Sequence, residues 1–131
     1  MVSHADGRGL QDNDLQWSIS SDGSHIAIAS RAQLREQIRI LDLQNGTERN
    51  LSLPKEWSIY GFSWAADGKA LFASVDLTEF LISRIDLDGN THVLFKRDVP
   101  WIGGPISSPD GRHLAYFLGT ADDNYWLLEN F

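Results

Sequence analysis

Phe62-Ser63-Trp64-Ala65-Ala66-Asp67-Gly68-Lys69-Ala70-Leu71-Phe72 passes from a short aromatic strand, through Asp-Gly, into an apolar run. The same grammar occurs twice more. Trp17-Ser18-Ile19-Ser20-Ser21-Asp22-Gly23-Ser24-His25-Ile26-Ala27 precedes it, and Pro105-Ile106-Ser107-Ser108-Pro109-Asp110-Gly111-Arg112-His113-Leu114-Ala115 follows it. Asp22 to Asp67 spans 45 residues, and Asp67 to Asp110 spans 43. A second motif keeps phase with the first. Leu41-Asp42 lies 20 residues after Asp22, Ile85-Asp86 lies 19 after Asp67, and Leu128-Glu129 lies 19 after Asp110. Self-similarity at such a period marks an array of small units, each unable to bury its apolar face alone.

Each unit reads as strands. Asp-Gly between two strand-like runs predicts a hairpin with a type I′ turn, both of whose central residues take positive φ. The run after the turn is apolar throughout: Ile26-Ala27-Ile28-Ala29, Leu71-Phe72-Ala73 and Leu114-Ala115-Tyr116-Phe117. Unbroken apolar residues suit a strand buried on both faces. In the first copy a polar connection, Ser30 to Gln37, leads to an alternating strand over Ile38 to Leu43. Asn45-Gly46 and Asp88-Gly89 then turn the chain into a fourth strand, Thr47 to Leu53 and Thr91 to Phe95. Four antiparallel strands per repeat make the blade of an all-β propeller. Residues 15–53 read as the first blade and 59–97 as the second. Residues 101–131 read as a third blade short of its fourth strand.

Ser108-Pro109-Asp110-Gly111-Arg112-His113-Leu114-Ala115, with the Asp-bearing strand and Asx-Gly turn of the first two copies, resembles the WD40-like repeat of TolB-type propellers. The resemblance extends over nearly the whole chain. Ser21 and Ala66 stand where the family motif has Pro. The resemblance implies a ring of about six blades. Three blades are half of that, with an apolar face uncovered at each end. Residues 1–14 precede the first blade where a fourth strand would lie, although Gly7 and Gly9 weaken it as a strand. We therefore expect two chains to pair head to tail about a two-fold axis, each N-terminal segment completing the other's last blade. The alternative is a piece of a longer propeller.

Composition narrows the function. Among 131 residues, 42% are hydrophobic and 22% charged, the balance of a folded globular domain. The net charge of −7 argues against a phosphate-binding face, so no nucleic acid is expected as partner. No apolar run approaches the roughly 20 residues that cross a bilayer. The first residues lack the basic and apolar segments of a secretory leader, which favours the cytoplasm. There is no cysteine, so no thiolate nucleophile, disulfide or Cys-held zinc. No cofactor is expected.

Candidate site residues divide into turns and loops. Asp22, Gly23, Asp67, Gly68, Asp110 and Gly111 read as structural turns, since Asp caps its own turn and Gly supplies positive φ. His25 and His113 hold matching places on different blades and form no metal pair, and His4 and His92 are isolated. Asp122-Asp123-Asn124 lacks the spaced ligands of a calcium loop. Gly103-Gly104-Pro105 reads as a tight entry into an inner strand. Inter-blade connections and those between second and third strands emerge on one face of a propeller. They carry Trp57, Tyr60 and Trp101, with Arg31, Arg35, Asp76, Asp122 and Asp123. Aromatics flanked by Arg are typical interface anchors, and these eight form the expected binding face. Packing between blades is the competing role for Trp57 and Trp101, and the expected role for Trp17 and Trp64.

A scaffold fold without a nucleophile or metal constellation points to a non-catalytic protein-interaction or assembly module. Its expected partners are a second copy, other propeller blades, or a protein or peptide. The first alternative is a bacterial sensory or regulatory propeller, holding a peptide or small ligand in its channel. An enzyme or gating domain comes third, on fold analogy alone.

Overall fold

The structure is a computed structural model that describes residues 15–30, 37–99, 101–119 and 124–129. These residues form eleven strands and no helix. The first sheet comprises β1 (Leu15–Ile19), β2 (His25–Ser30), β3 (Gln37–Asp42) and β4 (Glu48–Ser52). The second comprises β5 (Ser58–Trp64), β6 (Ala70–Asp76), β7 (Phe80–Asp86) and β8 (Thr91–Arg97). The third comprises β9 (Trp101–Ser107), β10 (His113–Gly119) and β11 (Asn124–Glu129). Within each sheet the strands pair antiparallel in chain order. Strands adjacent in the chain are adjacent in each sheet, so every sheet is a local meander.

The first strands of successive sheets lie against one another, β1 on β5 and β5 on β9. Contact between first strands arises when sheets radiate from a shared axis. Two features allow the close approach there. Gly61 and Gly104 face each other across β5 and β9, where a Cβ on Gly61 would sit 3.5 Å from the Gly104 nitrogen. Both strands also shift register, between Ile59 and Gly61 in β5 and opposite Ala115 to Phe117 in β9. A bulge of this kind re-aims a strand. Gly103-Gly104-Pro105 therefore lies inside β9, at its irregularity, and not at its entry.

Two cores fill the spaces between blades. Ala27, Ala29, Ile38, Ile40 and Leu51 of the first blade meet Ile59, Trp64, Leu71 and Ile85 of the second. Phe72, Phe80 and Ile82 of the second meet Ile102 and Leu114 of the third. The middle strand β6 is buried on both faces, as its unbroken apolar run requires. Hydrogen bonds between inner strands reinforce the stacking. Trp64 Nε1 donates to the Ser18 carbonyl at 2.8 Å, and Ser63 Oγ donates to the Pro105 carbonyl.

The Asp-Gly turns depart from the expected type I′ geometry. Ser20 pairs with His25 across a four-residue loop, and Gly23 N–H closes a turn on the Ser20 carbonyl at 2.9 Å. Ala65 with Ala70, and Ser108 with His113, repeat the pattern. Only the glycine of each Asp-Gly pair is in the left-handed region, at φ +74°, +71° and +72° for Gly23, Gly68 and Gly111. The cause lies in the side chains. Asp22 Oδ1 accepts from the Ser24 N–H and from Ser20 Oγ, while Ser20 Oγ accepts from the His25 N–H. These bonds hold a wider loop than a two-residue turn could supply.

Candidate interaction surfaces

Of the residues expected to form a binding face, the structure describes the side chains of Trp57, Tyr60 and Asp76. Trp57 is 6% exposed and lies in the core between the first two blades, its backbone N–H donating to the Pro54 carbonyl. The linker carrying it also buries Leu53, so Trp57 closes the inter-blade space and cannot anchor a partner. Tyr60 does reach the surface. Its ring meets Phe80 edge-on at 5.7 Å, and its carbonyl accepts from Gln16 Nε2 at 2.7 Å. Asp76 is exposed at the same end of the second blade, paired with Phe80. Trp101 opens β9, with its side chain outside the described set. Arg31, Arg35, Asp122 and Asp123 lie outside the described residues.

The turn acids are committed to their own loops. Hydrogen bonds from the Ser24 hydroxyl and N–H, then from Ser20, lower the Asp22 pKa from 3.8 to about 2. Ser108 and the Arg112 N–H lower that of Asp110 in the same way. In the later turns, backbone donors lower Asp42 and Asp86, chiefly Gln44 and Asn90 respectively. Asp67 accepts from the Lys69 N–H at 2.9 Å. Each carboxylate thus does the work of a turn, consistent with its repeat position. His25 sits beside Asp42 at 3.5 Å and against the Trp64 ring at 5.9 Å. His113 repeats the acid contact, 3.1 Å from Glu129. Among the described residues no group of three His, Asp or Glu could hold a metal ion.

Among the described residues, the most exposed large apolar side chains include Trp17, Ile106 and Leu127, on the outer faces of the end blades. On the first blade, Trp17 and Ile19 stand opposite Ile28 and Ile26 and turn away from the second blade. Trp17 is 61% exposed, so within this chain it does not pack on a neighbouring blade as expected. Its repeat counterpart, Phe62, packs into the core because a preceding blade stands over it. No described blade stands over Trp17. On the third blade, Ile106 and Leu127 flank Ala115 on the outward face, at 61% and 64% exposure. The repeat itself carried the signal. A residue matching a packed position of the next blade has nothing to pack on in the first.

Comparison with known proteins follows this geometry. No protein-family model matches the chain. TolB from Acinetobacter baumannii superposes with a TM-score of 0.74 over 90% of this chain, at 16% identity. The fold is that of a TolB-like β-propeller. The Myceliophteria thermophila Cps50 (Swd1) β-propeller domain matches with a TM-score of 0.60 over 87% of the chain, at 12% identity. The present propeller segment covers 30% of that TolB chain and 38% of the Cps50 domain. In sequence, phosphatidylinositol 4-kinase type 2-beta of Gallus gallus is 29% identical over 101 residues, 71% of this chain. The chain spans 18% of that kinase.

Proposed function

We propose that this propeller segment is a non-catalytic assembly module that completes a six-bladed ring by pairing with a second copy of itself. One observation carries the reading. The uncovered face of the first blade, with Trp17 and Ile19, corresponds to the face by which the second and third blades pack on their predecessors. The uncovered face of the third blade, with Ile106 and Leu127, corresponds to the face by which the first two blades receive a successor. The two ends are thus the two halves of an interface the chain already makes twice. A two-fold axis brings each end of one copy onto the opposite end of the other and closes the ring. The gain is burial of aromatic and aliphatic side chains, at about 25 cal/mol per Å².

The non-catalytic part rests on the acids. Asp22 and Asp110 spend their carboxylates on serine and backbone donors within their own turns, a structural task.

Sedimentation equilibrium and light scattering on the 131-residue chain test the reading. The expected particle has twice the 14.7 kDa chain mass at micromolar concentration. A stable monomer there overturns it.

A further inference from the structure

Trp64 seals the joint between the first two blades. Its ring lies 5.9 Å from that of His25, in one core with Ala27 and Ile40, and its Nε1 donates to the Ser18 carbonyl at 2.8 Å. Cross-strand register finds the counterparts on the third blade. Ser18 pairs with Ala27, and Ala27 with Ile40, as Ile106 pairs with Ala115, and Ala115 with Leu127. His25 lies 3.5 Å from Asp42, and His113 lies 3.1 Å from Glu129. The outward face of the third blade thus repeats the seat of Trp64: a His-acid pair, an alanine floor, an aliphatic wall and the Ile106 carbonyl as acceptor. The second blade has Phe72 and Arg84 in place of Ala27 and Ile40, and it receives Ser107 where the first receives Trp64. On the third blade the seat is open among the described residues, with Ile106 and Leu127 more than half exposed.

A second copy brings Ile19 to that seat. Ile19 pairs with Ile26 as Trp64 pairs with Leu71, so the two hold the same place in their strands. A sec-butyl group leaves part of an indole-sized seat empty, and an apolar void costs free energy. It also has no N–H. The other donors that cross joints within the chain are missing in the same way. Ser21 Oγ donates to the Ala66 carbonyl, Gln16 Nε2 to the Tyr60 carbonyl, and Ser63 Oγ to the Pro105 carbonyl. At those three donor positions the third blade has Pro109, Gly103 and Ile106, none with a side-chain donor. Charged groups on the two faces are paired within their own blades, Arg39 with Glu48 and His113 with Glu129.

We infer that the outward face of the third blade is a receptor for an indole, and that the first strand of a second copy occupies it incompletely through Ile19. The joint between copies is an under-filled apolar contact that lacks the donors of the joints inside the chain, and it is where the ring opens first. Ala29 gives way to Phe117 further along the strand, beyond the His-bearing end on which the indole lies. Occupation by Ile19 rests on the proposed ring, whereas the seat itself is present in the single chain.

Sedimentation velocity over a dilution series compares the parent 131-residue chain, Ile19→Trp, and Ile19→Trp combined with Ala115→Leu. Ile19 is 47% exposed, so the first change leaves the fold intact, and thermal melts establish folding of both variants. Ile19→Trp is expected to lower the dimer Kd by about tenfold or more, through added apolar burial and a donor for the Ile106 carbonyl. Ala115→Leu raises the alanine floor and is expected to remove that gain. Unchanged or weaker dimerisation of Ile19→Trp overturns the inference and leaves the ring standing. So does a gain that survives Ala115→Leu, since the indole then seats elsewhere. A parent that stays monomeric while Ile19→Trp dimerises overturns the ring alone. Chains that are monomeric in every form at micromolar concentration overturn both.

Discussion

The indole Nε1 of Trp64 donates to the Ser18 carbonyl at 2.8 Å, joining the second blade to the inner strand of the first. The same ring packs on His25 and is buried in the core. One side chain thus supplies both the apolar filling and a polar lock of this interface. Trp64→Ala is expected to cost about 3–5 kcal/mol through lost burial and the cavity left behind. Trp64→Phe removes the donor as well as part of the volume, leaving the Ser18 carbonyl without that bond, and is expected to cost at least about 1 kcal/mol. Urea denaturation of the two variants measures both.

Gly68 closes the second Asp-Gly loop with φ +71°, and a Cβ there would meet nothing within 4 Å. Any penalty at this position is therefore backbone strain and not a clash. Gly68→Ala is expected to destabilise by about 1–2 kcal/mol, the cost of the left-handed region to an L-residue. Chemical denaturation checks the value.

Acid sensitivity follows from the turn carboxylates. Asp22 has a folded pKa of about 2 against an ordinary 3.8, and Asp42, Asp86 and Asp110 are shifted in the same direction. A folded pKa below the unfolded one means that the unfolded chain takes up the proton first as pH falls. The stabilisation is complete above about pH 4 and is lost progressively as pH falls toward 2. Melting temperature followed by circular dichroism is expected to drop across that window. Asp22→Asn cannot ionise, so it is expected to melt lower than the parent at neutral pH and to show a smaller acid drop.

Trp17→Asp and Leu127→Asp each place a charge on one half of the proposed interface between copies. Alone, each is expected to sediment as a monomer, because both contacts of a two-fold ring carry the change. Mixed, one contact pairs the two altered faces, while the other pairs the parent Trp17 with the parent Leu127. The mixture is expected to recover part of the dimer. Recovery in sedimentation velocity separates a head-to-tail ring from a contact in which Trp17 faces its own copy.

Much of this architecture was legible from spacing. The 45- and 43-residue separations of the turn acids place each Asp-Gly loop between a first and a second strand, where the structure has them. The phased Leu41-Asp42 and Ile85-Asp86 pairs likewise end β3 and β7. The interaction surface was far less legible. Trp57 takes the packing role weighed for it, while Trp17 is exposed within this chain. Tyr60 and Asp76 reach one end of the second blade.

By itself the sequence determined the repeat, the strand order, the placement of turns and the apolar character of the central strands. These are local or periodic properties, set by hydrogen-bonding side chains, glycine backbone and alternation along a few residues. The widening of the Asp-Gly turns is local too, set by hydrogen bonds among Ser20, Asp22, Ser24 and His25. Tertiary structure alone decided which tryptophan is covered. Burial at a given repeat position depends on whether another blade stands on that face.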